Sequence, residues 1–189
     1  MRKLLVLFTI FAFTATSYAQ TQWTVDPYHS SLNFNIKHSG INMVNGKFTE
    51  YTGNLTTTGE GLENAQFNFT AQANSINTNV EPRDNHLRSA DFFEVETYPT
   101  LTFQSTKIIK TGKPDHYVLH GKLTIKDVTK DVIFDLYYGG EVSSDDGTKV
   151  GMKAKTVINR FDYNINYDPS AMGIGKDVHI QVHLQFAKQ

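Results

Sequence analysis

The sequence contains no cysteine. Disulfides, thiolate metal sites and cysteine nucleophiles are therefore excluded, as is a lipoprotein anchor carried on a cysteine. No block of Lys and Arg stands out, and the formal net charge is −1, so nucleic acid is not an expected partner. The one long apolar run, Leu4 to Phe13, is too short for a membrane span, which takes about 20 residues. Neither an internal repeat nor a linker divides the chain, which reads as one domain.

That apolar run has a different meaning. Met1-Arg2-Lys3 is a basic start, and Ser17-Tyr18-Ala19 is a small-x-small cleavage site behind the run. Together they form a secretory signal peptide over residues 1–19, expected to be cleaved after Ala19. The domain left is 20–189, placed in the periplasm or outside the cell, with no anchor. Losing Arg2 and Lys3 leaves it more acidic. A domain of this size is stable without disulfides if its core is large enough.

What is present is mostly strand grammar. Leu32, Phe34 and Ile36 alternate with Ser31, Asn33, Asn35 and Lys37, the two-residue period of a half-buried strand. The same alternation runs through Lys47 to Thr58, Ala65 to Ile76, Thr100 to Lys110, His116 to Ile125, Lys130 to Val142, Val150 to Ile165 and Val178 to Phe186. Ser39-Gly40, Asn45-Gly46, Gly59-Glu60-Gly61, Thr111 to Pro114 and Lys126-Asp127 read as turns, and Ser143 to Lys149 as a polar loop. Asp168 to Gly175 is a looser loop. About eight strands with one apolar face suggest an up-and-down barrel or a sandwich. The outer positions are Asn, Gln, Thr, Lys and His, which excludes a membrane barrel, whose apolar face must point outward. An eight-stranded interior is either filled by side chains or holds one small ligand, and the pattern alone does not separate the two.

One segment breaks the grammar. From Arg83 the chain runs through one or two helical turns near residues 82–91, with Pro82 suited to a first helical position and Glu81 before it as a cap. Tyr98-Pro99 then forces an extended backbone. A lone helix in a β protein covers an open end of the sheet.

The residue types that could carry chemistry are few. The seven histidines invite a metal, but His179 and His183 lie roughly 13 Å apart on a strand at 3.3 Å per residue, too far to share an ion. His29, His38 and His86 would have to converge at a barrel mouth. Asp26, His29 and Ser30 have the residue types of a hydrolytic triad, yet they sit too close in sequence for its geometry, and no G-x-S-x-G elbow exists. No catalytic or metal site is expected.

Arg83, His86, Leu87, Ser89, Asp91, Phe92, Phe93, Tyr98, Pro99 and Phe103 resemble the central signature of the YceI-like family of bacterial periplasmic proteins. Asp26, His29, Ser30 and Phe34 are similar to its opening, Gly46 and Phe48 to its next GxF, and Asn159-Arg160-Phe161-Asp162-Tyr163 to a later stretch. Gly121, Leu123, Thr124, Ile125, Thr129 and Lys130 resemble its GxLTIKGxTK segment, with Asp127 where the family has glycine. Gly175 to Leu184 resembles its closing strand, so the likeness spans nearly the whole exported chain.

The resemblance implies a lipocalin-like, eight-stranded antiparallel β-barrel with an apolar tunnel for an isoprenoid quinone, a prenyl phosphate or a fatty-acid-like lipid. It needs no cofactor, acts by sequestration or carriage rather than turnover, and allows a homodimer. The wall residues it implies are Phe34, Ile36, Phe48, Phe67, Phe69, Leu101, Phe103, Leu123, Phe134, Leu136, Ile158, Phe161, Val182 and Leu184. Arg83, His86, Arg88 and Arg160 are the head-group candidates, since Arg offers a fork of N–H donors to oxygen. Against that, Arg83 and Arg160 could pair with Asp84, Asp91 or Asp162 to fix loops. The alternative functions are an enzyme acting on an amphiphile inside the barrel, and a packed stress-response module without ligand.

Overall fold

The computed structural model describes residues 20–59 and 61–189, so the expected signal peptide lies outside the described residues. The strands are β1 (Gln20–Val25), β2 (Ser31–His38), β3 (Asn42–Phe48), β4 (Tyr51–Thr58), β5 (Gln66–Gln72) and β6 (Ile76–Asn77). After the helix α1 (Glu81–Arg88) come β7 (Thr100–Lys110), β8 (His116–Ile125), β9 (Val128–Ser144), β10 (Gly147–Asn159) and β11 (Ile174–Lys188).

All neighbours in the sheet are antiparallel. The ring runs β1-β4-β5-β7-β8-β9-β10-β11 and closes through β1 against β11, an eight-stranded barrel rather than a sandwich. Closure matters because it leaves no unpaired edge around the ring.

The remaining short strands are continuations. The long β11 pairs with β1 near its end, Val25 opposite Phe186, and with β2 further back, Val182 opposite Leu32. Between them Pro27 and its neighbours form a 3-10 turn, and Ser30 Oγ accepts the Gln185 N–H at 2.9 Å. The β3/β4 and β5/β6 breaks lie beside each other. Ser75 Oγ accepts from the N–H groups of Thr49 (3.2 Å) and Glu50 (3.1 Å) and donates to the Gln72 carbonyl at 2.7 Å. A buried backbone group without a partner is costly, and these two serines satisfy the ladder where three strands bend together.

Above the bend β6 pairs only with β3, and no β6–β7 ladder forms among the described residues. Helix α1 lies against β6. Its boundaries differ slightly from expectation. Glu81 is inside the helix and Val80 stands at the cap without a capping side chain. The first turn is held instead by Asp84, whose Oδ1 accepts the Thr78 N–H at 2.8 Å.

Three sequence expectations are corrected. Asn45-Gly46 is no turn but lies within β3, and Ser143 to Lys149 is a hairpin whose strands continue to Ser144 and from Gly147. The strand expected to reach Ile165 stops at Asn159, where the Asn159 side chain accepts the Phe161 N–H and starts a 3-10 turn over Arg160–Tyr163.

The end of the barrel away from α1 is tightly packed. Trp23, Leu55, Leu62, Ile108, Tyr117, Val150 and Phe186 are buried in one cluster and form a plug. Each such side chain contributes about 1.5–3 kcal/mol through burial.

Candidate functional site

Between the plug and α1 the barrel holds a cavity of about 630 Å³, within the range of small-molecule sites. Eight strands supply its wall. Phe34 and Ile36 come from β2, Phe48 from β3, and Phe67 and Phe69 from β5. Leu101 and Phe103 come from β7, Leu123 from β8, and Phe134 and Leu136 from β9. Ile158 of β10 and Val182 and Leu184 of β11 complete the expected set. Phe161 is the exception. Three residues after Ile158, it is out of the inward phase of β10 (Met152, Ala154, Ile158), and it lies instead on the Arg160 guanidinium, 4.3 Å from its ring centroid.

Several lining residues were not anticipated. Leu119, Ile125, Met152, Ala154 and Ile180 occupy the same strand phase as the expected ones, so extending the alternation would have found them. Tyr163, Ile165 and Tyr167 reach the cavity from the segment after β10; they alternate too, but in the phase opposite to that of β10, because the 3-10 turn over Arg160–Tyr163 intervenes.

Glycines shape the wall. A Cβ on Gly46 would overlap the ring of Phe34, one on Gly53 the ring of Phe69, and one on Gly121 the ring of Phe103. Each phenylalanine therefore leans sideways over a neighbouring strand instead of crossing the lumen. Gly46 and Gly53 are the direct cross-strand partners of Phe34 and Phe69.

The mouth lies under α1, and its polar groups divide by their bonds. Arg160 is 3% exposed. Its Nε donates to the Gly175 carbonyl (2.9 Å), Nη1 to Ile165 (2.7 Å), and Nη2 to Asp168 (3.0 Å) and Ile174 (2.9 Å). Burial lowers its pKa from the ordinary arginine value and the Asp168 charge opposes this. Asp168 caps the same loop, accepting from Ser170 Oγ and from the Gly173 and Ile174 amides. Those bonds, led by Ser170, hold its carboxyl below the usual range. Arg160 thus fixes loops, through carbonyl oxygens and not through the aspartates the sequence offered.

Arg88 does not line the cavity. It is pinned to the strand corner, donating to the carbonyls of Asn74 (2.8 Å) and Ile76 (2.9 Å) and to Asn85 Oδ1 (2.9 Å). His86 does reach the wall, with Nε2 2.9 Å from Asp91 Oδ2 and its ring edge-on to Phe92 (5.0 Å) and Tyr167 (4.9 Å). Arg83 lines the mouth and has no carboxylate partner among the described residues.

His38 also reaches the mouth, but His29 stands apart, its Nδ1 2.6 Å from Asp26 Oδ2. No group of three or more potential metal ligands occurs among the described residues. Ser30 turns to Gln185 rather than to His29, so Asp26, His29 and Ser30 bridge a strand break and form no nucleophilic relay.

The profile of the YceI-like domain matches residues 23–186. The chain belongs to the YceI-like family. YceI of Salmonella arizonae is 34% identical over 175 residues, covering 89% of this chain and 90% of that protein. The crystal structure of a Campylobacter jejuni YceI protein superposes with a TM-score of 0.73 at 27% identity, over 98% of this chain and 99% of that one. A polyisoprenoid-binding domain from Saccharophagus degradans shares the fold, with a TM-score of 0.67 at 16% identity over 92% of this chain and all of that one, 100%. The YceI-like signature is thus spread over the parts that build the mouth: Arg83 to Phe93 forms α1 and the turn behind it, and Arg160 ties the opposing loop.

Proposed function

We propose that this YceI-like chain is an exported carrier that sequesters a long-chain isoprenoid or similar lipid, head at the mouth and tail in the barrel. The observation that carries the reading is the apolar cavity beneath α1, walled by inward side chains of eight strands. Each buried CH₂ contributes about 0.8 kcal/mol, and ordering a flexible chain offsets part of that gain. A relative of the same fold is a polyisoprenoid-binding domain, which supports the same class of guest. Residues 1–19 supply the export signal, and 20–189 the single binding domain.

Binding is the reading the lining supports: it is mostly apolar, and the imidazole of His86 on its wall is paired with Asp91. The carboxylate beside His86, Asp91, is exposed and outside the lining. An acid–base pair positioned against a bound tail is what an enzyme would need.

The test is mass spectrometry of lipid extracted from protein purified after export, beside Ala154→Phe, which places a ring in the cavity. A prenyl or acyl lipid in the native extract, missing from the variant, is expected. Empty protein in both extracts, with no lipid taken up on incubation, overturns the proposal.

A further inference from the structure

Four large apolar side chains stand in water around the open end of the barrel. Ile41 is 90% exposed at the turn from β2 to β3, and Met172 is 79% exposed in the loop before β11. Val80, ahead of α1, and Tyr167 are 43% and 42% exposed, and both also line the cavity. Val44 and Ile174, close in sequence to the two tips, carry the lining inward. The apolar surface of the rim is therefore continuous with that of the cavity.

Both tips are held out by bonds of their own loops. Ser39 and Gly40 take positive φ, 49° and 71°, and the Ile41 N–H donates back to the His38 carbonyl at 3.2 Å. Asp168 gathers the second loop through Ser170, Gly173 and Ile174, while Arg160 holds the Asp168 carbonyl. The Ser39 N–H donates to the Gly173 carbonyl at 2.7 Å, so one support carries both tips. Neither Ile41 nor Met172 lines the cavity or belongs to the core. The fold gains nothing from them where they stand, and exposed apolar surface gathered at one place marks an interaction site. The charged side chains that line the cavity among the described residues, Lys37, Arg83 and the buried Arg160, are all cationic.

We infer that this rim docks on the surface of a lipid bilayer, Ile41 and Met172 entering the acyl boundary and the cavity opening onto it. This rests on the lipid-carrier reading, because a guest with an insoluble tail must enter and leave through a phase that dissolves it. A bilayer buries the rim and leaves the opening in contact with that phase, whereas a protein seated on the same side chains would close it. Insertion of a few side chains at the interface is reversible, so the carrier leaves again. Lys37 and Arg83 suit a surface that carries anionic head groups.

The experiment sediments protein purified after export with vesicles of phosphatidylcholine and phosphatidylglycerol in equal parts. The cavity is followed separately, without vesicles, by displacement of an aminoanthracene reporter with geranylgeraniol. Ile41→Asp and Met172→Asp should each lower vesicle binding about tenfold. Displacement should be unchanged in both, since neither side chain lines the cavity, and this also shows the barrel intact. Val142→Asp, at a side chain 63% exposed near the β9–β10 turn of the packed end, should leave vesicle binding as it is. Native protein that does not bind vesicles, binding that both rim variants retain, or an equal loss in Val142→Asp overturns the docking surface. So does a dimer in vesicle-free sedimentation that Ile41→Asp dissociates while no vesicle is bound, which makes the rim an interface between copies. Vesicle binding lost in the rim variants, with no reporter displaced by geranylgeraniol, overturns the carrier reading and leaves the docking surface standing.

Discussion

The phenyl ring of Phe34 lies over Gly46, its partner on the adjacent strand, in the space a β-carbon would fill. Phe34 is on the cavity wall, so this contact decides whether a large ring lies along the barrel or across it. Gly53 with Phe69 and Gly121 with Phe103 repeat the device. Glycine in a strand interior is normally a weakness. Here it creates the room that keeps the lumen open.

Gly46→Val should push the Phe34 ring into the lumen. Overpacking of this kind costs about 1–3 kcal/mol, and tail binding should weaken at least about tenfold as the channel narrows. Adding Phe34→Ala should restore binding, because the displaced ring is then gone. Urea melts and lipid displacement on the single and double variants check both halves. Unchanged binding in Gly46→Val would show that the ring does not govern the lumen.

Arg160→Lys keeps the charge but cannot reproduce bonds to four carbonyls. Stranded buried acceptors cost about 1–3 kcal/mol each, so the variant should lose about 3 kcal/mol or more of unfolding free energy. Unfolding followed by the fluorescence of Trp23, the sole tryptophan and a buried one, reads this directly. A loss below about 1 kcal/mol would contradict the loop-fixing role.

Asp26 sets part of the acid limb. The hydrogen bond from His29 holds its carboxyl below the usual range, with the Tyr28 and Gln185 N–H groups adding to the effect and burial opposing it. A depressed folded-state pKa means the stabilisation is present above the unfolded value of about 3.9 and is lost as pH falls through the folded one. In Asp26→Asn the midpoint temperature should be lower at neutral pH and change less below about pH 4. Parallel melting curves for the two proteins from neutral to acid pH would refute the assignment.

Tyr163 sets part of the alkaline limb. It is 1% exposed, its hydroxyl has no hydrogen-bond partner among the described residues, and burial pushes its pKa up to about 12. A raised folded-state pKa favours the neutral phenol, so stability falls as pH rises above the unfolded value of about 10. Tyr163→Phe should be as stable as the native protein near neutrality, or up to about 1 kcal/mol more stable. It should also resist alkaline unfolding better, which melting curves between neutral and alkaline pH would show. A variant destabilised at neutral pH would reveal a partner for the hydroxyl.

Much of this was legible along the chain because a strand with one wet face must alternate, and β7 and β8 begin and end where the period and the turns place them. The lone helix was equally readable, from Pro82 at its start and Tyr98-Pro99 beyond it. The candidate site was legible only as a phase, and Phe161, three residues after Ile158, does not share the inward phase of β10.

The sequence by itself determined an antiparallel β protein with one helical insert, a wet outer face and the likeness to a family. It did not determine closure, since a sandwich and a barrel share the same alternation. Only the tertiary structure joined β1 to β11 and packed one end while leaving the other hollow. It alone sent Arg160 to four carbonyls and Arg83 to Thr78. Period reports which way a side chain points, but a cavity depends on what meets it there, and those neighbours come from distant parts of the chain.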